Sequence, residues 1–552
     1  MTLLLDDGYA FDLGGYRRAT SSGSEPARRW FDRGLVWSYA FNHEEAIVCF
    51  ERAIADDPAF ALAHWGVAYA AGPNYNKQWD AFESDELRAA LRRTRAATTR
   101  AIDLGDGATA VARALIAALA ARYPVEANGD LARRNSDYAD AMADVYAAHS
   151  DDLDVAALYA DALLNVTAWQ LWDIATGQPA TGARTLEARA VLERAIGRPG
   201  GLEHPGLLHF YIHLMEMSPE PEAALEAAGA LRDLVPDAGH LVHMPTHIDV
   251  LVGDYERVVA DNDRAVVADE RYAAVAGAVS FYTLYRAHNH HFRIYGAMFA
   301  GQRESALRAA ADLRAVLTEQ LLRVEAPPMA DWLESFVPMR LHVLVRFGMW
   351  EQLIATPLPA DPELYSVTTA LTHYATGVAL AATSRVAEAE TRRDELAAAI
   401  ERVPDTRYLF NNRASDILAI AAAMLDGEIA YRRGDLDDAW TQLRRAITLD
   451  DTLPYDEPWG WMQPTRHAYG ALLLEQGEVE RAAAVYAADL GLDDTLPRAC
   501  RHPGNVWSLH GYHECLTRLG RRADAEALAP RLTRALRAAD VAIRSSCFCR
   551  MA

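Results

Sequence analysis

A short pattern, in which glycine is followed five residues later by alanine or a larger apolar residue, recurs along this 552-residue chain. In a helix-turn-helix unit the glycine lies in the turn, and the small alanine on the second helix lets the two helices touch. Runs of β-branched residues at period two are scarce, which argues against a sheet. The alanine form covers residues 301–306, 434–439, 477–482 and 520–525, and the variant form covers 253–258 and 348–353.

Residues 27–60 show the complete unit. The first predicted helix carries Trp30, Gly34 and Trp37, the second carries Ala46, Phe50 and Ala53, and Pro58 closes the unit. This arrangement resembles the tetratricopeptide repeat, a helix-turn-helix unit of about 34 residues. Further units project to about residues 205, 239, 287, 334, 370, 420, 463 and 506. We therefore predict an all-α fold, an α-solenoid superhelix of irregular tetratricopeptide-like repeats.

The repeats suggest a division of the chain into five segments. We predict an N-terminal tail over 1–26, helical repeats over 27–204, a histidine-rich group of repeats over 205–333, C-terminal repeats over 334–540 and a C-terminal tail over 541–552. Apolar residues make up 51% of the chain, which is ample material for a continuous core.

The formal net charge of −23 limits the classes of partner. A nucleic-acid-binding protein normally carries a basic stripe, and an anionic membrane surface attracts basic segments, so we predict neither partner. No uncharged apolar run reaches the roughly 18 residues of a membrane helix, and the chain starts without the basic and apolar regions of a signal peptide. These features predict a soluble, cytoplasmic protein.

Five cysteines are too few, and odd in number, for a disulfide framework. Reduced thiols fit a cytosolic protein. The terminal pair Cys547 and Cys549 could hold a soft metal ion, although two thiols on a short tail are a weak indication.

Histidines are concentrated in one part of the chain, with nine of the eighteen falling within residues 204–291. In a tetratricopeptide array, positions 2, 5, 9 and 12 of each first helix form one stripe that faces the concave groove. The registers, fixed by turn glycines, alanines and a proline, place seven histidines and one glutamate on that stripe. These residues are His209, His213, Glu216, His240, His243, His247, His288 and His291.

Such a set has the chemistry of a metal site. Imidazole is the commonest protein ligand for transition metals, and two histidines at i and i+4 share one face of a helix. Glu216 could complete the ligand set or act as a catalytic general base on a metal-bound water. The sequence does not choose among zinc, iron, copper and manganese. Alternatively, the histidines are a polar lining that contacts a peptide, as we also expect for the isolated His342.

Two histidine-containing segments make the resemblance to tetratricopeptide proteins more specific. Residues 240–248, which hold His240, His243 and His247, precede residues 288–292, which begin His-Asn. This pair of segments is similar to a group of bacterial tetratricopeptide proteins and, more distantly, to the animal tetratricopeptide repeat protein 38 family. The similarity runs over nearly the whole chain beyond residue 25. It implies the repeat fold and no particular reaction. In the animal proteins the second segment is spaced His-Asn-x-x-His, whereas His291 here is one residue closer to His288.

Two functions follow from these observations. The first is a superhelix whose groove binds a transition metal ion and a small molecule, with catalysis left open. The second is a non-enzymatic scaffold that holds a peptide or protein partner, for which the acidic surface favours a basic partner. Peptide-binding grooves of this kind favour Lys, Arg and Asn, so the histidine-rich stripe favours the metal hypothesis. The substrate, the reaction and the oligomeric state are not predicted.

Overall fold

The protein is all-α, as predicted. The computed structural model describes residues 8–123 and 130–550. Within them most of the chain is helical, and two short antiparallel hairpins are also present. The strands are β1 (Trp172–Asp173) paired with β2 (Gln178–Pro179), and β3 (Tyr408–Leu409) paired with β4 (Asn412–Arg413).

The chain divides into two compact units. Unit 1 comprises Met1–Ile248 and Val267–Ala276, and unit 2 comprises Asp249–Val266 and Gly277–Ala552. The boundaries predicted at 204/205 and 333/334 do not coincide with this division, because the histidine-rich segment contributes to both units.

The helices of unit 1 begin with the first predicted repeat. They are α1 (Glu25–Tyr39), α2 (His43–Asp56), α3 (Ala61–Ala70), α4 (Ser84–Asp103), α5 (Ala110–Ala120), α6 (Leu131–His149), α7 (Leu153–Leu164), α8 (Thr185–Ile196), α9 (Pro205–Glu216), α10 (Leu225–Leu231) and α11 (Gly239–His243). Single 3₁₀ turns lie at Trp79–Ala81, Gly105–Gly107, Asn165–Thr167, Gly201–Glu203 and Pro221–Ala224. Helices α12 (Pro245–Val252) and α13 (Tyr255–Ala276) each contribute residues to both units.

The described helices of unit 2 come next along the chain. They are α14 (Tyr282–Ala300), α15 (Arg303–Val316), α16 (Glu319–Leu322), α17 (Met329–Leu333), α18 (Met339–Arg346), α19 (Trp350–Ile354), α20 (Ser366–Ala382), α21 (Val386–Ile400), α22 (Ala414–Arg433), α23 (Leu436–Asp451), α24 (Thr465–Glu475), α25 (Val479–Asp489), α26 (Val506–Arg518) and α27 (Arg522–Ala538). Single 3₁₀ turns lie at Glu334–Phe336 and Arg498–Cys500.

The turn glycines act as the pattern predicts. Each lies between two consecutive helices and has a left-handed φ of +62° to +84°, which glycine adopts without steric cost. In unit 2 the first helices of successive pairs also pack together, α18 against α20, α20 against α22 and α24 against α26. This side-by-side stacking of helix pairs is the α-solenoid arrangement. The glycines are Gly253, Gly301, Gly348, Gly434, Gly477 and Gly520.

The first repeat shows why a small residue is needed inside a pair. A Cβ added to Gly34 on α1 would lie 2.5 Å from the ring of Phe50 on α2. Phe50 is completely buried, so its ring has no room to move away. The contact between α1 and α2 therefore depends on glycine at this position.

The prediction of an N-terminal tail over 1–26 is wrong for its described part. Tyr9 and Phe11 are buried, and the hydroxyl of Tyr9 donates to Glu45 over 3.0 Å. Arg18 pairs with Asp152 at 2.9 Å. These aromatic and ionic contacts fix the segment on unit 1, and residues 1–7 lie outside the described part of the chain.

The prediction of a C-terminal tail over 541–552 is wrong as well, for residues 541–550. Ile543 and Cys549 are buried, and the hydroxyl of Ser546 donates to the carbonyl of His467 over 2.7 Å. Cys547 and Cys549 are joined by a disulfide. The interpretation of this pair as reduced thiols or as a soft-metal site is therefore wrong too. Residues 551–552 lie outside the described range.

No helix in the described ranges, 8–123 and 130–550, is long and apolar enough to cross a membrane.

Candidate metal centre

Helix α9 positions the first histidines of the site. His204 caps its N-terminus by accepting from the backbone NH of Leu207 over 3.2 Å, and Pro205 supplies a fixed φ at the first helical position. Every residue of α9 is buried. The spacing of four residues then brings the rings of His209 and His213 within 4.7 Å, centroid to centroid.

The tautomer of His209 is set by a backbone carbonyl. Its Nδ1 lies 2.6 Å from the carbonyl oxygen of Tyr39, which can only accept, so Nδ1 carries the proton. Nε2 must then present its lone pair. This nitrogen is buried and, among the residues that the structure describes, has no hydrogen-bond partner.

The same arrangement recurs at His213. Its Nδ1 lies 3.0 Å from Oε1 of Glu216, while its buried Nε2 has no hydrogen-bond partner within the described chain. Burial lowers the pKa of His213 to about 3. Burial, and then the neighbouring His213, hold the pKa of His209 well below its usual range. Both rings are therefore neutral at neutral pH, the state that a metal ligand needs.

Glu216 is fully buried between two histidines. Its Oε1 faces His213, and its Oε2 lies 2.5 Å from Nδ1 of His247. Burial raises the pKa of Glu216 well above its usual range. Because both oxygens face Nδ1 atoms, the carboxylate can orient two imidazoles at once.

Helices α11 and α12 bring three more histidines to the same place. Pro245 begins α12 and separates it from α11, which ends at His243. The break leaves the pair intact, since the Nε2 atoms of His243 and His247 lie 2.8 Å apart. His240 lies on α11, and its ring centroid is 4.9 Å from that of His209.

Six of the predicted site residues therefore meet inside unit 1. One ring nitrogen from each of His209, His213 and His240 lies within 4.8 Å of the other two. One ligand atom from each of His213, Glu216 and His247 does the same. His243 joins this set through His247.

His288 and His291 belong to unit 2, on α14. The ring of His288 meets that of Phe410 at 4.6 Å, and the ring of His291 meets that of Phe336 at 5.3 Å. Each of these two histidines therefore contacts an aromatic ring of unit 2.

The residues predicted to face the groove are buried. The seven predicted histidines expose at most 5% of their surface and Glu216 exposes 1%, so none of them lines an open surface. In unit 1 three aromatic residues pack against His213, with ring centroids 5.6 Å away for Phe41, 4.7 Å for Tyr75 and 5.9 Å for Trp169.

These aromatic residues could not be identified from the repeat register. Phe41 and Trp169 have φ values of +55° and +61°, which are unusual for bulky side chains. Strained backbone of this kind concentrates at ligand sites. Only the segment 72–76, which interrupts the helical pattern, indicated one of these aromatic residues in the sequence. It contains Tyr75.

Comparison with known proteins adds little to this geometry. The sequence matches no family profile and no curated protein. Two solved structures align with 92% of the chain. Yeast Tom70 is aligned over 99% of its own chain with 9% identity and a TM-score of 0.27, and the Naa15/Naa10 complex bound to HypK-THB is aligned over 70% with 16% identity and a TM-score of 0.19. Both sequence identities and both TM-scores are low, and the similarity to the tetratricopeptide repeat protein 38 family stays a prediction.

Proposed function

We propose that unit 1 binds a transition metal ion through His209, His213 and His240. The observation that carries this proposal is the state of His209 and His213. Their Nδ1 atoms are engaged, and their buried Nε2 atoms are without hydrogen-bond partners in the described structure. A buried acceptor left unsatisfied costs about 1–3 kcal/mol, and two lie side by side here. A shared cation would remove both costs.

The partners of the Nδ1 atoms support the same proposal. Histidines that bind metals almost always donate their other ring NH to a carboxylate or a backbone carbonyl, which fixes the ring and increases its basicity. The carbonyl of Tyr39 serves His209, and Glu216 serves His213. A cation beside Glu216 would favour its ionised form and offset the effect of burial.

The donor set fits a zinc-like ion with one open position. Three imidazole nitrogens at 2.0–2.1 Å from one ion are about 3.3 Å apart, so nitrogens now within 4.8 Å need to move only modestly. Iron, copper and manganese also accept imidazole. Catalysis by Glu216 is not part of the proposal, because both of its oxygens face imidazole nitrogens. His243, His247, His288 and His291 stay predicted ligands.

The alternative function is a scaffold for a peptide or protein partner. The burial of the histidines argues against their use as a peptide-binding lining, because rings with so little exposed surface cannot contact a partner. A scaffold would have to use other surfaces. Cytoplasmic location likewise stays a prediction.

The test is metal analysis of the full chain without a histidine tag. We expect the wild-type protein to retain zinc, iron, copper or manganese after gel filtration, or to take up one of these metals on reconstitution. We expect His213→Gln and His209→Gln to lose the metal ion that is bound in unit 1. His149→Gln, at the end of α6, is the matched control, and circular dichroism verifies folding of each variant. A wild-type protein that binds none of the four metals would contradict the proposal and favour the scaffold. Equal metal content in the folded His209 and His213 variants would also contradict it.

A further inference from the structure

We propose that unit 2 holds a second site, for a soft monovalent metal ion such as Cu(I), formed by Met462, His291 and His342. This site uses a different unit and a different donor set from the centre proposed above, so it does not rest on that proposal.

Three separate elements supply the donors. His291 lies on α14, His342 lies on α18, and Met462 lies in the segment between α23 and α24. The three side chains expose 1%, 3% and 0% of their surface. The sequence predicts His291 as a ligand and His342 as a lining residue, and no sequence pattern singles out Met462.

The contact between His291 and Met462 points to a shared ligand. Nε2 of His291 lies 2.7 Å from the thioether sulfur, well inside the usual separation of nitrogen and sulfur. A thioether is only a weak hydrogen-bond acceptor, so a hydrogen bond is a poor reason for so close an approach. Two donor atoms that bind one ion would be about 3.5 Å apart. The flexible methionine side chain can move far enough to increase the nitrogen–sulfur distance to this value.

The remaining ring nitrogens are also poorly satisfied. Nδ1 of His291 and Nδ1 of His342 are buried, and neither has a hydrogen-bond partner among the residues described. Helices α14 and α18, which carry the two histidines, pack against each other, and His342 also contacts Trp461, the residue next to Met462. A cation is the ligand that neutral imidazoles and a thioether can stabilise.

The aromatic rings around the three donors favour a metal ion with a single positive charge. The ring of Phe336 meets His291 edge-on at 5.3 Å, and the ring of Trp461 meets His342 edge-on at 5.1 Å. All three donors are neutral, so the ion keeps its full charge in an apolar enclosure. The desolvation cost rises with the square of the charge, and is therefore about four times smaller for a monovalent than for a divalent ion. Thioether sulfur also selects Cu(I) among the biological metals.

The experiment follows the methionine methyl groups by NMR in the full chain labelled with [methyl-¹³C]methionine. The probe is Cu(I), buffered by bicinchoninate without oxygen. We expect one methyl signal, assigned to Met462 by its absence in Met462→Leu, to shift on addition of Cu(I) and to stay in place with Zn(II). Met462→Leu should weaken Cu(I) binding at this site at least about tenfold, a free-energy change of about 1.4 kcal/mol. Met298→Leu, a buried methionine on α14, is the matched control and should bind Cu(I) as the wild type does.

Two further measurements keep the test decisive. His213→Gln, which removes the unit 1 centre, should leave the Cu(I)-dependent shift of Met462 unchanged, so the two proposals can fail separately. If Met462→Leu does not fold, X-ray absorption at the copper edge of selenomethionine-labelled protein should show a selenium neighbour, which cysteine cannot supply. No shift at saturating Cu(I), an equal shift with Zn(II), or the absence of a selenium neighbour would overturn the proposal.

Discussion

At the scale of single residues, Glu216 determines how the unit 1 histidines are presented. Its Oε1 lies 3.0 Å from Nδ1 of His213 and its Oε2 lies 2.5 Å from Nδ1 of His247, so both rings are held with Nε2 turned away from the carboxyl group. A carboxylate that lies behind the imidazoles in this way tunes a metal site without touching the ion. This role differs from the ligand or general base that the sequence suggested.

The substitution Glu216→Gln tests the positioning role. An amide offers one oxygen and one NH₂ group, so it can accept from only one of the two histidines. We expect the variant to bind metal about 10–100-fold more weakly than wild type, measured by competition with a chromophoric chelator. Glu226→Gln, on the exposed side of α10, should have no effect. A loss as complete as that of His213→Gln would instead identify Glu216 as a ligand, and unchanged affinity would remove it from the site.

At the scale of elements, Asp154 on α7 ties the N-terminal segment to unit 1. Its carboxylate accepts from the hydroxyl groups of Tyr16 and Tyr39, and it pairs with Arg18 at 2.5 Å and with His204 at 3.1 Å. Burial by itself raises the pKa of Asp154, but Arg18 and then His204 outweigh burial and hold the pKa far below its usual range.

The sign of the pH dependence follows from this shift. Below the unfolded pKa of about 3.9, the unfolded chain binds a proton at Asp154 that the folded chain does not, so stability falls as pH falls. We expect Asp154→Asn to lower the free energy of unfolding at pH 7 by at most about 3–5 kcal/mol, because Arg18 loses the more buried of its two carboxylate partners and keeps Asp152. Its unfolding free energy should also fall less steeply than that of wild type below pH 4. Urea titrations at pH 7 and pH 3 measure both effects. Asp151→Asn is the control, since Asp151 is 84% exposed, and equal pH profiles would contradict this explanation.

The same elements show what sequence can and cannot predict. Helix pairs were predictable because a turn glycine such as Gly434 and the small residue after it act locally. The shared face of His209 and His213 was predictable because it depends only on the helical period. Tyr75 over His213, and the packed segment around Tyr9, depend on contacts between residues far apart in sequence. No periodic pattern encodes such contacts, so the sequence predicted a groove lining and an N-terminal tail in their place.

At the scale of the whole molecule, the charge balance favours the binding of cations. The chain has 77 acidic residues against 54 lysines and arginines. Such an excess raises the local concentration of cations around the protein and speeds their association at low ionic strength. It does not provide affinity by itself, because exposed charges are screened by salt within about 10 Å. The buried imidazoles have to supply the affinity.

A metal ion that binds the folded chain and not the unfolded chain stabilises the helices that carry its ligands. At a free Zn²⁺ concentration of 100 times Kd, this stabilisation is about 2.7 kcal/mol. Amides that exchange through unfolding of α9 and α11 should therefore exchange up to about 100-fold more slowly when Zn²⁺ is present. Hydrogen-exchange mass spectrometry measures this change, with α22 and α23 as the comparison, because they contain none of the proposed ligands. His213→Gln should abolish the added protection at the same Zn²⁺ concentration. If zinc is retained while exchange in α9 and α11 stays unchanged, the ion is bound elsewhere, because a ligand cannot bind these helices without opposing their unfolding.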